Sequence, residues 1–161
     1  MGLDMYLDKR TSVRNWSHQQ KDERYSVSVK RGGKRLDKIQ TKRITHVIEE
    51  IGYWRKFNAL HRWFVENVQE GKDDCKQYWV SQRALTDLLE VLKKVAASRN
   101  RLVENLPDTD TAEENLPTVG GFFFGDTDYN EYYYDQVEST IEIIEEAVKD
   151  TDADYYYSSS W

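Results

Sequence analysis

The amino-acid sequence predicts an α+β fold, a mostly antiparallel sheet with about three helices packed on it. Three observations carry this prediction. Residues 24–31, RYSVSVKR, alternate apolar and polar side chains and run into Gly32-Gly33, the pattern of a half-buried strand followed by a two-residue hairpin turn. Three other stretches repeat apolar residues at helical spacing: Phe57, Leu60, Phe64 and Val68; Leu85, Leu88, Leu92 and Val95; Tyr134, Val137, Ile141, Ile144 and Val148. The chain of 161 residues, 39% apolar, is long enough for one domain spanning residues 1–161, and its five Trp, eleven Tyr and five Phe fill a core with few residues.

Taken in order, residues 3–8 (LDMYLD) read as a short strand and residues 9–23 as a polar loop. The alternating strand at 24–31 places Tyr25, Val27 and Val29 on one face, and after the glycine turn a second strand follows at 34–40. Residues 42–52 fit either a helical stripe or a β-branched strand. The strand reading ends near Gly52 and is followed by a helix from about Tyr53 to Glu70; the alternative is one long helix with Gly52 inside it. Gly71 is a natural helix stop. Residues 76–80 (KQYWV) read as a strand, and Ser81 caps a second helix running to about residue 103. Residues 104–121, which hold both prolines, read as an exposed loop. Phe122-Phe123-Phe124 between two glycines fits a buried edge strand or an aromatic platform. Asp128 with Glu131 has capping-box spacing for the third helix, and residues 153–157 (ADYYY) read as the last strand. In each run of three tyrosines, 132–134 and 155–157, at least one ring must face away from the core.

Composition narrows the function classes. One cysteine excludes an internal disulfide and fits a reducing cytosol. No stretch has the length and apolarity of a membrane span, and no secretory leader is expected. The net charge of −6 is unevenly spread: residues 1–62 hold 15 Lys/Arg against 7 Asp/Glu, and residues 63–161 hold 8 against 22. The plain reading is that the two halves neutralise each other across one domain. The sharper one is a basic face that meets phosphates or an acidic partner. The acidic total disfavours long nucleic acid, whereas a small anionic nucleotide needs only two or three cations and a ring to stack on.

The densest chemistry lies in Ile51 to Cys75, IGYWRKFNALHRWFVENVQEGKDDC. Tyr53, Arg55, Lys56, Asn58 and His61 are the expected ligand- or partner-binding residues. The cations attract an anion, Asn58 both donates and accepts, and the rings stack. The 104–121 loop and Phe122–Phe124 are expected to close over them. His61, Asp73 and Asp74 are the alternative, the residue types of a small hydrolase acting on nucleotides or nucleic acid. One His and one Cys cannot complete a four-ligand zinc site, so no metal and no cofactor is expected. No phosphate-binding glycine loop, dinucleotide fingerprint, zinc-protease motif or nucleophile elbow is present.

MGLDMYL at the start, GYWRK-x-N-x-L-H-x-WFV-x-NVQ-x-G-x-DDC in the middle, LPT-x-x-GFFFG later and SSW at the end resemble a small protein family encoded by bacteriophages and prophages. The matching blocks are spread over the whole chain, and the middle block is specific. The resemblance implies a viral origin and the cytoplasm of a bacterial host cell as the setting. It carries over no catalytic residues. Small early phage proteins often act by binding, which implies an accessory protein that engages a host or defence protein, or sequesters a small anionic nucleotide, to counter defence. A structural or housekeeping phage protein is the further alternative.

Overall fold

The computed structural model describes residues 2–161. Strand β1 (Asp4–Ser12) opens the chain. A short hairpin follows, β2 (Lys30–Arg31) and β3 (Lys34–Arg35), and then the long strand β4 (His46–Arg55). Helix α1 (Asn58–Asn67), strand β5 (Tyr78–Val80) and helix α2 (Gln82–Ser98) come next. A second small hairpin, β6 (Leu102–Val103) and β7 (Leu106–Pro107), leads to the short helix α3 (Asp110–Asn115). Helix α4 (Glu131–Lys149) and strand β8 (Asp154–Ser160) complete an α+β fold.

The main sheet has the order β4-β1-β8-β5, with every neighbouring pair antiparallel. Its two faces follow directly from the period of two in a strand. Leu3, Met5 and Leu7 point into the core while Asp4, Tyr6 and Asp8 point the other way. In β8, Tyr155, Tyr157 and Ser159 are buried, and Tyr156 and Ser158 lie on the opposite face. The buried face packs against α1, α2 and α4. Phe64 of α1 stacks on Tyr157 with ring centroids 3.9 Å apart, and Leu85, Leu88, Leu92 and Val95 of α2 are fully buried. The helices are further tied by Arg99, whose guanidinium bonds Glu131, Asp135 and Glu138 of α4.

Gly52 is set by packing. The Trp54 indole lies over it so closely that an added Cβ would sit 2.4 Å from the ring. Trp54 Nε1 then donates to Thr140 Oγ1 at 2.8 Å, joining the edge strand to α4. Opposite, the register slips between Leu7 and Asp8, leaving Ile51 as the extra residue of a bulge.

Several expectations are corrected. Tyr53, Trp54 and Arg55 belong to β4: Tyr53 pairs with Tyr6 and Arg55 with Asp4, and the helix begins only at Asn58. The break falls at Lys56, whose φ of 57° ends the strand. Residues 24–31 form no long strand. The Asn15 side chain brackets the Tyr25 backbone with two 2.8 Å hydrogen bonds, taking the place of a strand partner. Tyr25 is exposed, and Ile141 is only partly buried. Residues 104–121 are not simply an exposed loop: α3 buries Ala112, and Leu116 is fully covered, its carbonyl accepting from the Tyr133 hydroxyl. Helix α4 is capped by Asn130, not Asp128, because its side chain accepts from the Tyr133 amide. Phe122–Phe124 sit in a turn with Phe122 exposed, not in an edge strand.

Candidate functional site

Strand β4 ends in Tyr53, Trp54 and Arg55, and alternation sends Trp54 inward and the other two to the helix-free face of the sheet. Both are ordered by Asp4 on the neighbouring strand. The Tyr53 hydroxyl donates to Asp4 Oδ1 at 2.6 Å, and Arg55 Nε lies 3.9 Å from the same oxygen. Donation to that carboxylate raises the Tyr53 phenol above its ordinary value. The Tyr53 ring rests against Tyr6, centroids 5.5 Å apart.

The same face continues across β8 to β5. The Arg10 guanidinium lies 4.2 Å from the Tyr156 ring centroid and donates to Gln77, which in turn donates to Asp8. Trp79 is 56% exposed. The face therefore carries Tyr6, Tyr53, Tyr156 and Trp79 interleaved with Arg10 and Arg55, and no helix covers it.

Lys56 sits at the rim, where the strand turns into α1. Its left-handed backbone is unusual for a residue with a side chain and stores strain of about 1–3 kcal/mol. Gly125 packs directly on it, since a Cβ there would lie 3.1 Å from that of Lys56. A cleft of about 230 Å³ opens beside Lys56, lined also by Thr118, Asp126, Asp128, Tyr132 and Gln136.

Asn58 and His61 share a helix face, and that face points inward. Asn58 is 3% exposed. Its amide donates to the Phe124 and Asp126 carbonyls and its oxygen accepts from the Val119 amide, so it pins the 118–126 segment to α1. His61 is 1% exposed, held between Asp73 at 3.0 Å and the Tyr157 hydroxyl at 2.8 Å. A carboxylate only accepts, so Nε2 donates to Asp73, and Nδ1 shares a hydrogen bond with the Tyr157 hydroxyl. The other Asp73 oxygen accepts from the Trp161 indole. Burial pushes the Tyr157 phenol well above its usual range. This Tyr–His–Asp chain resembles a nucleophile–base–orienter set, yet its hydroxyl is fully buried. Asp74 stands apart from it, bonded to Lys76 and Tyr78, and the Lys76 ammonium holds its carboxyl below the usual value.

The structure thus places Tyr53 and Arg55 together on an open face and Lys56 at its rim, and it encloses Asn58 and His61. Tyr6, Arg10, Trp79 and Tyr156 share the open face and escape a sequence reading that does not show which strands lie beside β4. The alternation in DMYLD and YYYSSS is the signal that points to Tyr6 and Tyr156. Among the described residues no group of three His, Cys, Asp or Glu converges to hold a metal, and no helix is long and apolar enough to cross a membrane. No protein-family model, curated protein or solved structure matches the chain.

Proposed function

We propose that this chain is a phage accessory protein that acts by binding a host protein through the helix-free face of its sheet, in the service of countering defence in the host cytoplasm. The observation that carries the reading is the assembly of exposed Tyr53 and Trp79 with Tyr6, Tyr156, Arg10 and Arg55 on one broad face. Tyr, Trp and Arg are the residues that dominate protein–protein binding energy. Hydrogen bonds from Tyr53 to Asp4 and from Arg10 to Gln77, itself bonded to Asp8, hold these two side chains before a partner arrives, which lowers the entropic cost of association.

At the residues expected from the sequence, a small nucleotide is less well served. The cleft beside Lys56, about 230 Å³, falls below the roughly 300–1,000 Å³ of typical small-molecule sites. Asp126 and Asp128 on its wall repel phosphate. The hydrolase reading would need a substrate to reach His61, which is enclosed on both ring nitrogens.

The test is capture from a lysate of the bacterium that carries the phage, comparing the immobilised protein with the double variant Tyr53→Ala, Trp79→Ala. A host protein retained by the native chain and lost from the folded variant supports the reading. Identical retention by both refutes it.

A further inference from the structure

Residues 13–45 contribute no side chain to the hydrophobic core cluster and carry ten Lys/Arg against three Asp/Glu, a balance of +7 in a chain whose total is −6. All ten cations are exposed. Elsewhere cations find carboxylates: Lys9 with Asp150, Lys93 with Glu145 and Arg99 with three acids of α4. Among the described residues, no cation of 13–45 takes part in an ion pair. The basic and acidic halves therefore do not neutralise each other here.

The hairpin β2–β3 sharpens this. Gly32 and Gly33 turn the chain with φ of 57° and 78°, and the register sets Lys30 opposite Arg35 and Arg31 opposite Lys34. Like charges directly across a strand pair destabilise it, and no acidic side chain lies within KRGGKR to offset the repulsion. In the same segment, a trough of about 640 Å³ is lined by Arg14, Lys42, Arg43 and Tyr25 without a single carboxylate. Trp16 is 52% exposed, with the Arg14 guanidinium 4.9 Å from its ring centroid.

We propose that residues 13–45 form a DNA-binding arm in which the KRGGKR hairpin enters the major groove and Arg14, Lys42 and Arg43 meet the flanking phosphates. A two-stranded ribbon fits the major groove of B-form DNA, whereas the deep, narrow groove of A-form RNA does not admit one. The hairpin tip has no apolar side chain to insert into a lipid surface. The excess of cations, ten against three acids, suits the dense charge of a phosphate backbone. The tip offers no Asn, Gln or Glu to read adenine or cytosine, so Arg31 and Arg35 are its only fork-shaped base readers and the remaining cations meet the backbone. This surface is separate from the open sheet face and does not depend on the reading given above for it.

The experiment is fluorescence anisotropy of a labelled mixed-sequence DNA duplex of about 25 base pairs, titrated with the full chain between about 50 and 200 mM salt. The expected result is a dissociation constant of about 1–100 μM that weakens steeply with salt. The variant Lys30→Ala, Arg31→Ala, Lys34→Ala, Arg35→Ala should bind at least about tenfold more weakly, with the slope of log K against log salt reduced by about 3–4. Its circular dichroism and melting temperature should match the native protein, because none of the four side chains is buried. Lys42→Glu with Arg43→Glu should weaken binding independently of the hairpin. Absence of salt-dependent binding, or variants that bind like the native chain, overturns the proposal. So does equal or tighter binding of an RNA duplex, of a single strand or of anionic phosphatidylserine vesicles.

Discussion

His61 shows how the surroundings of one residue decide its role. Its side chain has every polar atom engaged, and both partners are anchored by other contacts: Asp73 by Trp161, Tyr157 by stacking on Phe64. Removing the ring's two nitrogens leaves a buried phenol without a partner. His61→Phe should therefore destabilise the fold by about 2–4 kcal/mol, measured by urea denaturation. A loss below about 0.5 kcal/mol would mean that the network contributes little. Asn58 acts in the same way, fastening the 118–126 segment to α1. Both residues look like surface chemistry in the sequence, since a polar side chain beside Arg and Lys on a helical wheel carries no mark of burial. The apolar positions around them, Phe57, Leu60 and Phe64, were legible because spacing alone assigns them to the buried stripe, and they are buried.

At the scale of elements, the junction between β4 and α1 is where local sequence misleads. The run GYWRKFNALHRWF contains good helical spacing throughout, yet pairing with β1 claims its first four residues as strand. Gly52, a breaker in either reading, is needed because Trp54 covers it. Gly52→Ala should cost roughly 1–3 kcal/mol through overpacking, with the loss read from thermal melting; an unchanged midpoint would show that the indole simply moves aside. Residues 104–121 were obscured differently: α3 is only six residues long, too short to show a helical period, and its docking rests on Ala112 with Leu116 just beyond it. The pair Lys9–Asp150 joins β1 to the end of α4 at 2.6 Å. The bond from Lys9 lowers the Asp150 carboxyl below its ordinary 3.8. A depressed folded-state value means that the pair's contribution is complete above the unfolded value and lost as pH falls through the folded one. Asp150→Asn should lower stability at neutral pH and flatten the acid limb below about pH 4, seen in melting curves across pH. An acid limb identical to that of the native chain would exclude the pair as a contributor.

For the molecule as a whole, the fold class was legible because the three long helices announce themselves by period and short strands were read between them, whereas the alternation at 24–31 belongs to no strand of the four-stranded antiparallel sheet. The order of its strands was not, since the pairing of β1 with both β4 and β8 joins segments far apart in the chain. Charge behaves similarly. Its asymmetry is plain in the sequence, but only the three-dimensional arrangement separates an ion-paired acidic body from an unpaired basic arm. The two surfaces that result, an aromatic sheet face and a cationic hairpin, belong to different substitutions and can be tested apart.

The most direct measurement is the dissociation constant, by isothermal titration calorimetry, of the captured host protein for the native chain and for Tyr53→Ala with Arg55→Ala. The substitutions remove the two groups that Asp4 holds on the open face, and the four alanines of the hairpin variant serve as a control on the same binding. Weakening by at least about tenfold, or roughly 1.4 kcal/mol, with melting temperature unchanged, is the expected result. A constant that stays within about twofold of the native value, less than roughly 0.5 kcal/mol, would contradict the assignment of this face as the binding surface.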